Sequence, residues 1–132
     1  MKKIASITCL LLCILASNAY SQSNLTWTLK DKGEKGFFKT HTDFNSNFSG
    51  FANKTESEKF LAKLKSNSEI ASVVVSKVEE NGNCDLVINM KQPHDRLYYV
   101  GLAQKLGIDY IQYNNQKKTP AEIIEQSRKK SN

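Results

Sequence analysis

The stretch from Phe48 to Val75, FSGFANKTESEKFLAKLKSNSEIASVVV, decides the fold. It has the pattern of a strand end, a loop, an amphipathic helix and a second strand. Thr55 and Glu58 have the spacing of a capping box, so we expect the helix to begin just after Asn53 and Lys54. The β-branched run from Ile70 to Val78 predicts a buried strand. The apolar stripe of the helix is predicted to contain Ala52, Phe60, Leu61 and Leu64.

A hairpin, a second helix and a further strand are predicted next along the chain. Asn81-Gly82 favours a tight turn because both residues tolerate positive φ, and Cys84 to Met90 is the return strand. Gln92-Pro93 indicates a helix start, and Gly107 is placed to end that helix. Ile108 to Tyr113 has the pattern of the last strand. The buried side of the helix is expected to comprise Leu97, Tyr98, Val100, Gly101, Leu102 and Leu106, and the glycine would permit a close approach to the sheet.

Segments on either side add to this central unit. The alternating run from Leu25 to Leu29 predicts a half-buried strand. A glycine-bearing turn follows, and Phe37 to Thr42 is expected to return as the second strand of a hairpin. Near the C-terminus, Asn114 to Lys118 is predicted to be a polar linker. Thr119 to Glu122 has the form of another capping box, with proline at the first position of a short helix.

These elements predict an α+β protein whose centre is a βαββαβ sandwich over residues 44–113. Its first strand is Phe44 to Phe48. Residues 22–43 are expected to form the N-terminal hairpin extension, and residues 114–132 the linker and the C-terminal helix.

Several parts of the central unit resemble the heavy-metal-associated domains, which are small copper and zinc carriers. Gly50 to Glu56, GFANKTE, is similar to their Gly-Met-x-Cys-x-x-Cys loop. Ser68 to Val75 resembles their Pro-Gly-Val-x-x-Val-x-Val strand, and Leu102 to Ile108 resembles the end of their second helix. The resemblance implies a ferredoxin-like fold over residues 44–113. Asn53 and Glu56 stand where the family has its two metal-binding cysteines, so the resemblance implies a degenerate member without the metal loop.

The N-terminus predicts export. Met1-Lys2-Lys3 is a positively charged start, and the apolar run from Ile4 to Ala16 is short for a bilayer span. We expect residues 1–21 to be a signal peptide cleaved before Gln22, with Ala19 as the alternative end. No later stretch is apolar enough for a membrane helix, so the mature protein is expected to be periplasmic or secreted. Loss of Lys2 and Lys3 would lower the formal net charge from +6 to about +4.

Only one cysteine remains after such a cleavage. Cys9 and Cys13 lie in the predicted signal peptide, and Cys84 lies in a predicted strand. The mature chain would therefore contain no internal disulfide, and its stability would depend on the core. Cys84 is either a small strand residue beside a turn or a reactive thiol able to form an intermolecular bridge.

The pattern of possible ligands does not predict a metal site or a cofactor. His41 and His94 are far apart, and neither has a second ligand at helical or strand spacing; His94, at a helix start, is expected to be exposed. Oxygen donors do not replace two thiolates for a soft ion, and a carboxylate at a helix start is expected to serve the helix dipole. The candidate ligands that remain to be placed are Asn53, Glu56, His41, Cys84 and His94.

Other function classes are not favoured by the sequence. Tyr98, Tyr99, Tyr110 and Tyr113 are interpreted as half-buried core residues, so no nucleic-acid partner is predicted. No Gly-x-Ser-x-Gly, His-Glu-x-x-His or phosphate-binding loop is present, and an enzyme is not expected. The leading hypothesis is an exported, non-catalytic binding module for a protein or small-ligand partner. The alternatives are a periplasmic metal-ion carrier with other ligands, and an unrecognised small hydrolase, which would need a cleft with convergent polar groups.

Overall fold

A computed structural model describes residues 24–31 and 36–132, which form one six-stranded mixed sheet and four helices. The predicted signal peptide and residues 32–35 of the glycine-bearing turn lie outside the described residues. The elements are β1 (Thr26–Leu29), α1 (Phe37–Thr40), β2 (Asp43–Ser49), α2 (Lys54–Lys65), β3 (Ile70–Val78), β4 (Cys84–Met90), α3 (Arg96–Lys105), β5 (Tyr110–Tyr113), β6 (Gln116–Lys118) and α4 (Pro120–Ser131).

The sheet has the strand order β3-β4-β2-β1-β5-β6. β1 pairs antiparallel with β2, where Trp27 lies opposite Phe48, and parallel with β5, where Trp27 lies opposite Ile111. The α+β class is confirmed. The ferredoxin-like topology is not confirmed by this order, because such a sheet joins the first and last strands of the βαββαβ unit directly. Here β1 separates β2 from β5.

The predicted N-terminal hairpin is wrong. Phe37–Thr40 is one turn of helix, and the antiparallel partner of β1 is β2. Gly36 redirects the chain with a φ of 84°, a conformation that glycine adopts readily. Phe37 and Phe38 then both pack against the core. Neighbouring residues of a strand point to opposite faces, so a strand could not bury both rings on one side.

The strand β3 is an edge strand and not the buried strand that its composition predicted. It pairs only with β4, and Val74 is 57% exposed. Val73 and Val75 face the core and are partly buried. β-branched residues fit any pleated strand, and composition alone does not distinguish an edge from a centre.

The starts of α2 and α3 differ from their predicted caps. Asn53 caps α2, since its Oδ1 atom accepts a hydrogen bond of 2.9 Å from the Glu56 main-chain N–H, so the capping box at Thr55 and Glu58 is wrong. Ala52 is exposed and does not belong to the apolar stripe. Asp95 caps α3 in the same way, through the Tyr98 N–H at 2.9 Å. The helix thus begins after Pro93 instead of at it.

The buried face of α3 is only partly as predicted. Val100, Leu102 and Leu106 are buried, and Tyr99 and Ala103 join them. Leu97 is 46% exposed. A Cβ atom at Gly101 would meet nothing within 4 Å, so this glycine is not needed for a close approach to the sheet. Gly107 has a φ of 75° and follows the last turn of the helix, as predicted.

Two hairpins use positive φ, and of the residues concerned only Gly82 was favoured by the sequence. The β3–β4 hairpin is confirmed, with Gly82 at a φ of 94°, whereas Asn81 keeps a negative φ. Asn114 and Asn115 have φ values of 50° and 61° and form the two-residue turn between β5 and β6. The predicted linker is therefore a hairpin, because asparagine tolerates the left-handed region that such a turn requires.

The helices cover one face of the sheet. The buried side chains of α2, α3 and α4 form a single cluster with alternate residues of the strands, and Ile123 docks α4 onto it. The capping box at Thr119 and Glu122 is confirmed, with Pro120 in the first turn. The opposite face carries polar side chains that bond to each other, such as Asn47 to Asp85 and Asn89 to Ser72, each at 2.9 Å. None of the described helices has the length and apolar character needed to cross a membrane.

Candidate functional site

A small cavity lies on the helix-covered side of the sheet, between α3, α4 and the β5–β6 hairpin. Its volume is about 50 Å³. We call it the α3–α4 cleft. Trp27 and Ile111 line it from the sheet, Val100 from α3 and Ile123 from α4, and all four side chains are buried. Phe38 of α1 contributes a further aromatic wall. The cleft is therefore mainly apolar, which is typical of small-ligand sites.

Trp27 is the only tryptophan of the chain and is held rigidly in this wall. Its indole Nε1–H donates a buried hydrogen bond of 2.9 Å to Ser46 Oγ. The ring stacks on Phe48 with a centroid distance of 5.7 Å. A buried indole that satisfies its donor and packs on a second ring has little freedom to move. The indole is thus a defined surface of the cleft.

Three polar side chains also line the cleft, and two of them are cationic. Arg96 begins α3, and Gln116 and Lys118 belong to β6. Lys118 Nζ donates a 2.8 Å hydrogen bond to the neutral Gln126 Oε1 atom. Within residues 24–31 and 36–132, no carboxylate lies within ion-pair distance of Arg96 or Lys118. The two positive charges are therefore not compensated by the described part of the protein.

Tyr99 contributes a ring to the cleft, and its hydroxyl is buried. The ring packs on Phe38 and Phe44 with centroid distances of 5.5 and 4.9 Å. Burial raises the pKa of Tyr99 to about 12, although the nearby main chain of His94 lowers it in part. The hydroxyl does not reach hydrogen-bond geometry with any described group. The phenol therefore stays protonated at neutral pH and is a poor base.

The segment that resembles a metal loop, Gly50 to Glu56, contains the cap of α2. Asn53 Oδ1 accepts the Glu56 N–H, and Glu56 Oε1 lies 3.4 Å from Lys59 Nζ. A shallow groove of about 610 Å³ borders this loop, and Lys59 and Lys63 line it together with Phe51. The amide oxygen and the carboxylate are thus engaged with the start of α2. Glu56 lies in the first turn of α2, where the sequence predicted a carboxylate that serves the helix dipole, whereas the sequence placed the cap at Thr55 and not at Asn53.

Cys84 lies in the core at the start of β4. Its side chain is 1% exposed, and it stands opposite Phe48 in the sheet. Burial raises the pKa of the thiol to about 11, with a smaller opposing contribution from the Phe48 main chain. A thiol in this setting is almost entirely protonated at neutral pH, and reactive cysteines have the opposite character. The geometry favours the interpretation of Cys84 as a small core residue.

The two histidines occupy separate places. His41 follows α1 and stacks on Phe37 at 4.3 Å, with Nδ1 3.1 Å from the Phe37 carbonyl oxygen. His94 precedes α3 and stacks on Tyr98 at 3.7 Å. Its side chain is only 18% exposed, so the expectation of an exposed residue is wrong. His94 Nε2 lies 3.4 Å from Glu69 Oε2 without hydrogen-bond geometry.

The candidate ligands are not brought together in the described residues. Asn53 and Glu56 are neighbours, whereas His41, Cys84 and His94 lie in different parts of the fold. Among residues 24–31 and 36–132, no group of three histidine, cysteine, aspartate or glutamate side chains could hold a metal ion. The absence of a metal or cofactor stays a prediction.

The tyrosines are divided between the two sides of the sheet. Tyr99 is buried, and Tyr98 and Tyr113 pack against the core. Tyr110 alternates with the buried Ile111 and therefore lies on the polar face, where Lys117 Nζ is 4.7 Å from its ring centre. One tyrosine with one lysine does not make the row of aromatic side chains on which nucleic-acid bases stack.

Arg96, Lys118 and Trp27 were not singled out as site residues in the sequence. Trp27 and Lys118 come from elements whose place in the sheet was not predicted. A signal for Lys118 was present in Asn114-Asn115, because a two-residue turn there would have returned the chain as a strand. Alternation along that strand then places Lys117 and Lys118 on opposite faces.

Comparison with known proteins gives no assignment: no family model matches the chain, and neither a curated protein nor a solved structure matches it significantly.

Proposed function

We propose that the protein is an exported, non-catalytic binding module and that the α3–α4 cleft is its ligand site. The observation that carries this proposal is an apolar cavity bordered by two uncompensated cations, Arg96 and Lys118. Arg96 is exposed and Lys118 is partly exposed, so water solvates both charges in the empty protein, and a complementary group can form charge-assisted hydrogen bonds with them beside the apolar walls. The cleft therefore offers a ligand both an apolar surface and cationic hydrogen-bond donors.

The chemistry of the lining residues supports binding more than catalysis. A general acid–base pair or an activated nucleophile needs groups that exchange protons near neutral pH. The described residues contribute neither a carboxylate nor an imidazole nor a thiol to the lining. Tyr99, with its raised pKa of about 12, does not exchange protons near neutral pH.

We further propose that the part of the fold from β2 to β5 descends from a heavy-metal-associated domain. The elements from β2 to β5 keep the βαββαβ sequence of that family, and α2 begins at the position of its metal loop. We infer a degenerate ferredoxin-like unit into which β1 has been inserted. Its binding site would then have moved from the loop before α2 to the cleft.

A small-molecule panel tests the binding site. The mature chain from Gln22 would be titrated with small alcohols, amides, amines and carboxylates at millimolar concentration, while the Trp27 indole N–H resonance is followed by NMR. At least one compound should shift Trp27, Val100 and Ile111, and leave Phe51 and Lys63 at the other groove unchanged. A panel that leaves all cleft resonances unchanged would overturn the proposed site.

Export is tested separately. N-terminal sequencing of the protein recovered outside the cytoplasm should give Gln22 as the first residue, or Tyr20 if cleavage follows Ala19. The reason is the charged start and short apolar run that a signal peptidase recognises. Exported protein with an intact Met1 would contradict cleavage.

A further inference from the structure

We propose that the α3–α4 cleft binds a short aliphatic carboxylate of the size of propionate, butyrate or isobutyrate. This inference rests on the proposed function and specifies its ligand class. The carboxylate would lie between Arg96 and Lys118, and the hydrocarbon would enter the apolar part beside Trp27.

The charge of the cleft selects an anion. Among residues 24–31 and 36–132, Arg96 and Lys118 are the only ionised residues that line the cleft, and both are positive. The nearest acid in sequence, Asp95, is occupied because its Oδ1 atom accepts the Tyr98 N–H at 2.9 Å as the cap of α3. The Lys118 ammonium has only the neutral Gln126 oxygen as a partner. Neither cation therefore needs to leave a stronger partner when an anion binds.

The donor geometry suits a carboxylate. A guanidinium presents paired N–H groups that match the two oxygens of a carboxylate, and a lysine adds a third charge-assisted donor. Arg96 comes from α3 and Lys118 from the end of β6, so the two donors approach from separate elements. The Gln116 side-chain amide, on the same strand as Lys118, offers a neutral donor at the same rim.

The volume of the cleft limits the apolar part of the ligand. About 50 Å³ corresponds to fewer than two molecules of liquid water, at roughly 30 Å³ each. A cavity that holds benzene is about 150 Å³, so an aromatic acid would not fit without rearrangement. The apolar walls of Trp27, Val100 and Ile123 disfavour a strongly hydrated group such as a phosphate inside the cavity. By this comparison the cavity holds roughly two carbons of an alkyl chain, so the carboxylate of propionate, butyrate or isobutyrate, and the third alkyl carbon of the two larger acids, would lie at the rim beside Arg96 and Lys118.

Fluorescence of Trp27 provides a direct readout, because it is the single tryptophan and lines the cleft. The mature protein would be titrated with butyrate, with uncharged butyramide and n-butanol, and with inorganic phosphate as an anion without an alkyl chain. Butyrate should give a saturable change and should bind at least about 10-fold more tightly than the other three, the ratio expected for charge-assisted hydrogen bonds.

Charge-matched variants identify the donors. Arg96→Gln and Lys118→Gln should each lower butyrate affinity by at least about 10-fold. Arg128→Gln, at the far part of α4, and Lys117→Gln, on the opposite face of β6, remove the same charge and should leave the affinity unchanged. All four side chains are at least partly exposed, and the melting temperature of each variant verifies that it is folded.

The outcomes separate this inference from the proposed function. Equal binding of butyrate, butyramide and butanol, with no effect of Arg96→Gln, would overturn the carboxylate and leave the cleft as a binding site. Equal binding of phosphate and butyrate would reduce the site to a nonspecific anion site and overturn the aliphatic part. Equal losses in Lys117→Gln and Lys118→Gln would show a general charge effect and also overturn the inference. If none of the four compounds changes Trp27 fluorescence, both the carboxylate and the cleft fail.

Discussion

The loop before α2 and the α3–α4 cleft differ in what holds them together. The loop, from Gly50 to Asn53, is fixed by main-chain proximity to the turn at Gly82 and by the Asn53 cap. Both oxygens of Asn53 accept hydrogen bonds from the first turn of α2. The cleft is bounded by side chains, and its cations have no charged partner among the described residues.

The two regions also differ in the elements that form them. The loop lies in the part of the chain that resembles a metal carrier, yet its side chains now stabilise a helix start. Much of the cleft comes from elements outside that resemblance, namely β1, α1, β6 and α4. These elements bury apolar surface against the sheet, and where their fit is incomplete a cavity remains.

The introduction of two thiolates should give the largest change, a gain in copper(I) affinity, and it tests the proposed alignment of the loop directly. Asn53→Cys with Glu56→Cys should create a copper(I) site, because the cap residue and the third helical residue face each other at a helix start and copper(I) prefers thiolate sulfur. The loss of the Asn53 cap should cost about 1 kcal/mol. Titration against a competing chelator measures the affinity.

The control for this experiment is Asn53→Ser with Glu56→Ser, which keeps oxygen donors and should bind no copper(I) tightly. A folded double-cysteine variant that gains no affinity would contradict the alignment with the metal loop. Tight binding by the unmodified protein would contradict the degenerate interpretation.

The contact between the β3–β4 turn and the loop gives the next largest effect. Gly82 has a φ of 94°, and a Cβ atom there would lie 2.7 Å from the Asn53 carbonyl oxygen. Gly82→Ala should lower the free energy of unfolding by about 3 kcal/mol, from left-handed strain together with displacement of the loop. Denaturant unfolding is the measurement.

Gly107→Ala is the matched control, since Gly107 also has a positive φ but an added Cβ atom would meet nothing within 4 Å. It should cost about 1 kcal/mol, the strain alone. Equal losses at the two glycines would mean that the loop is not fixed by the turn.

In the cleft, the hydrogen bond from the Trp27 indole to Ser46 can be removed by substitution. Ser46→Ala leaves the buried indole N–H without its acceptor and should lower the free energy of unfolding by about 1–2 kcal/mol. Ser49→Ala on the same strand lacks this role and should stay within about 0.5 kcal/mol of the parent. A neutral effect of Ser46→Ala would indicate that the wall of the cleft does not depend on this bond.

The smallest expected effect concerns the identity of the α2 cap. Asn53→Ala should cost about 1 kcal/mol because the Glu56 N–H loses its acceptor. Thr55→Ala, at the position that the sequence pattern favoured, should change stability by less than about 0.5 kcal/mol. Thermal or denaturant unfolding of the two variants measures these losses. A larger loss in Thr55→Ala than in Asn53→Ala would support the capping box at Thr55 and Glu58.

Local patterns in the sequence determined the elements whose cause is local. The spacing of Phe60, Leu61 and Leu64 fixed α2, the alternation from Cys84 to Met90 fixed β4, and Thr119 with Glu122 fixed the start of α4. Each of these depends on hydrogen bonds or side-chain periodicity within a few residues. The placement of the Glu56 carboxylate in the first turn of α2 followed from the same kind of information.

Only the tertiary structure decided where β1 inserts, that β3 is an edge, and that Phe37–Thr40 is helical. The alternating pattern of the segment around Trp27 is the same for a central strand and for a hairpin strand. The residues that lie opposite Trp27, Phe48 and Ile111, are far away in the sequence. The cleft depends on that insertion, because Trp27 and Leu29 of β1 line it together with Arg96 and Lys118. Strand order depends on the apolar surface that all strands of the sheet bury together, and a short stretch of sequence does not determine that total.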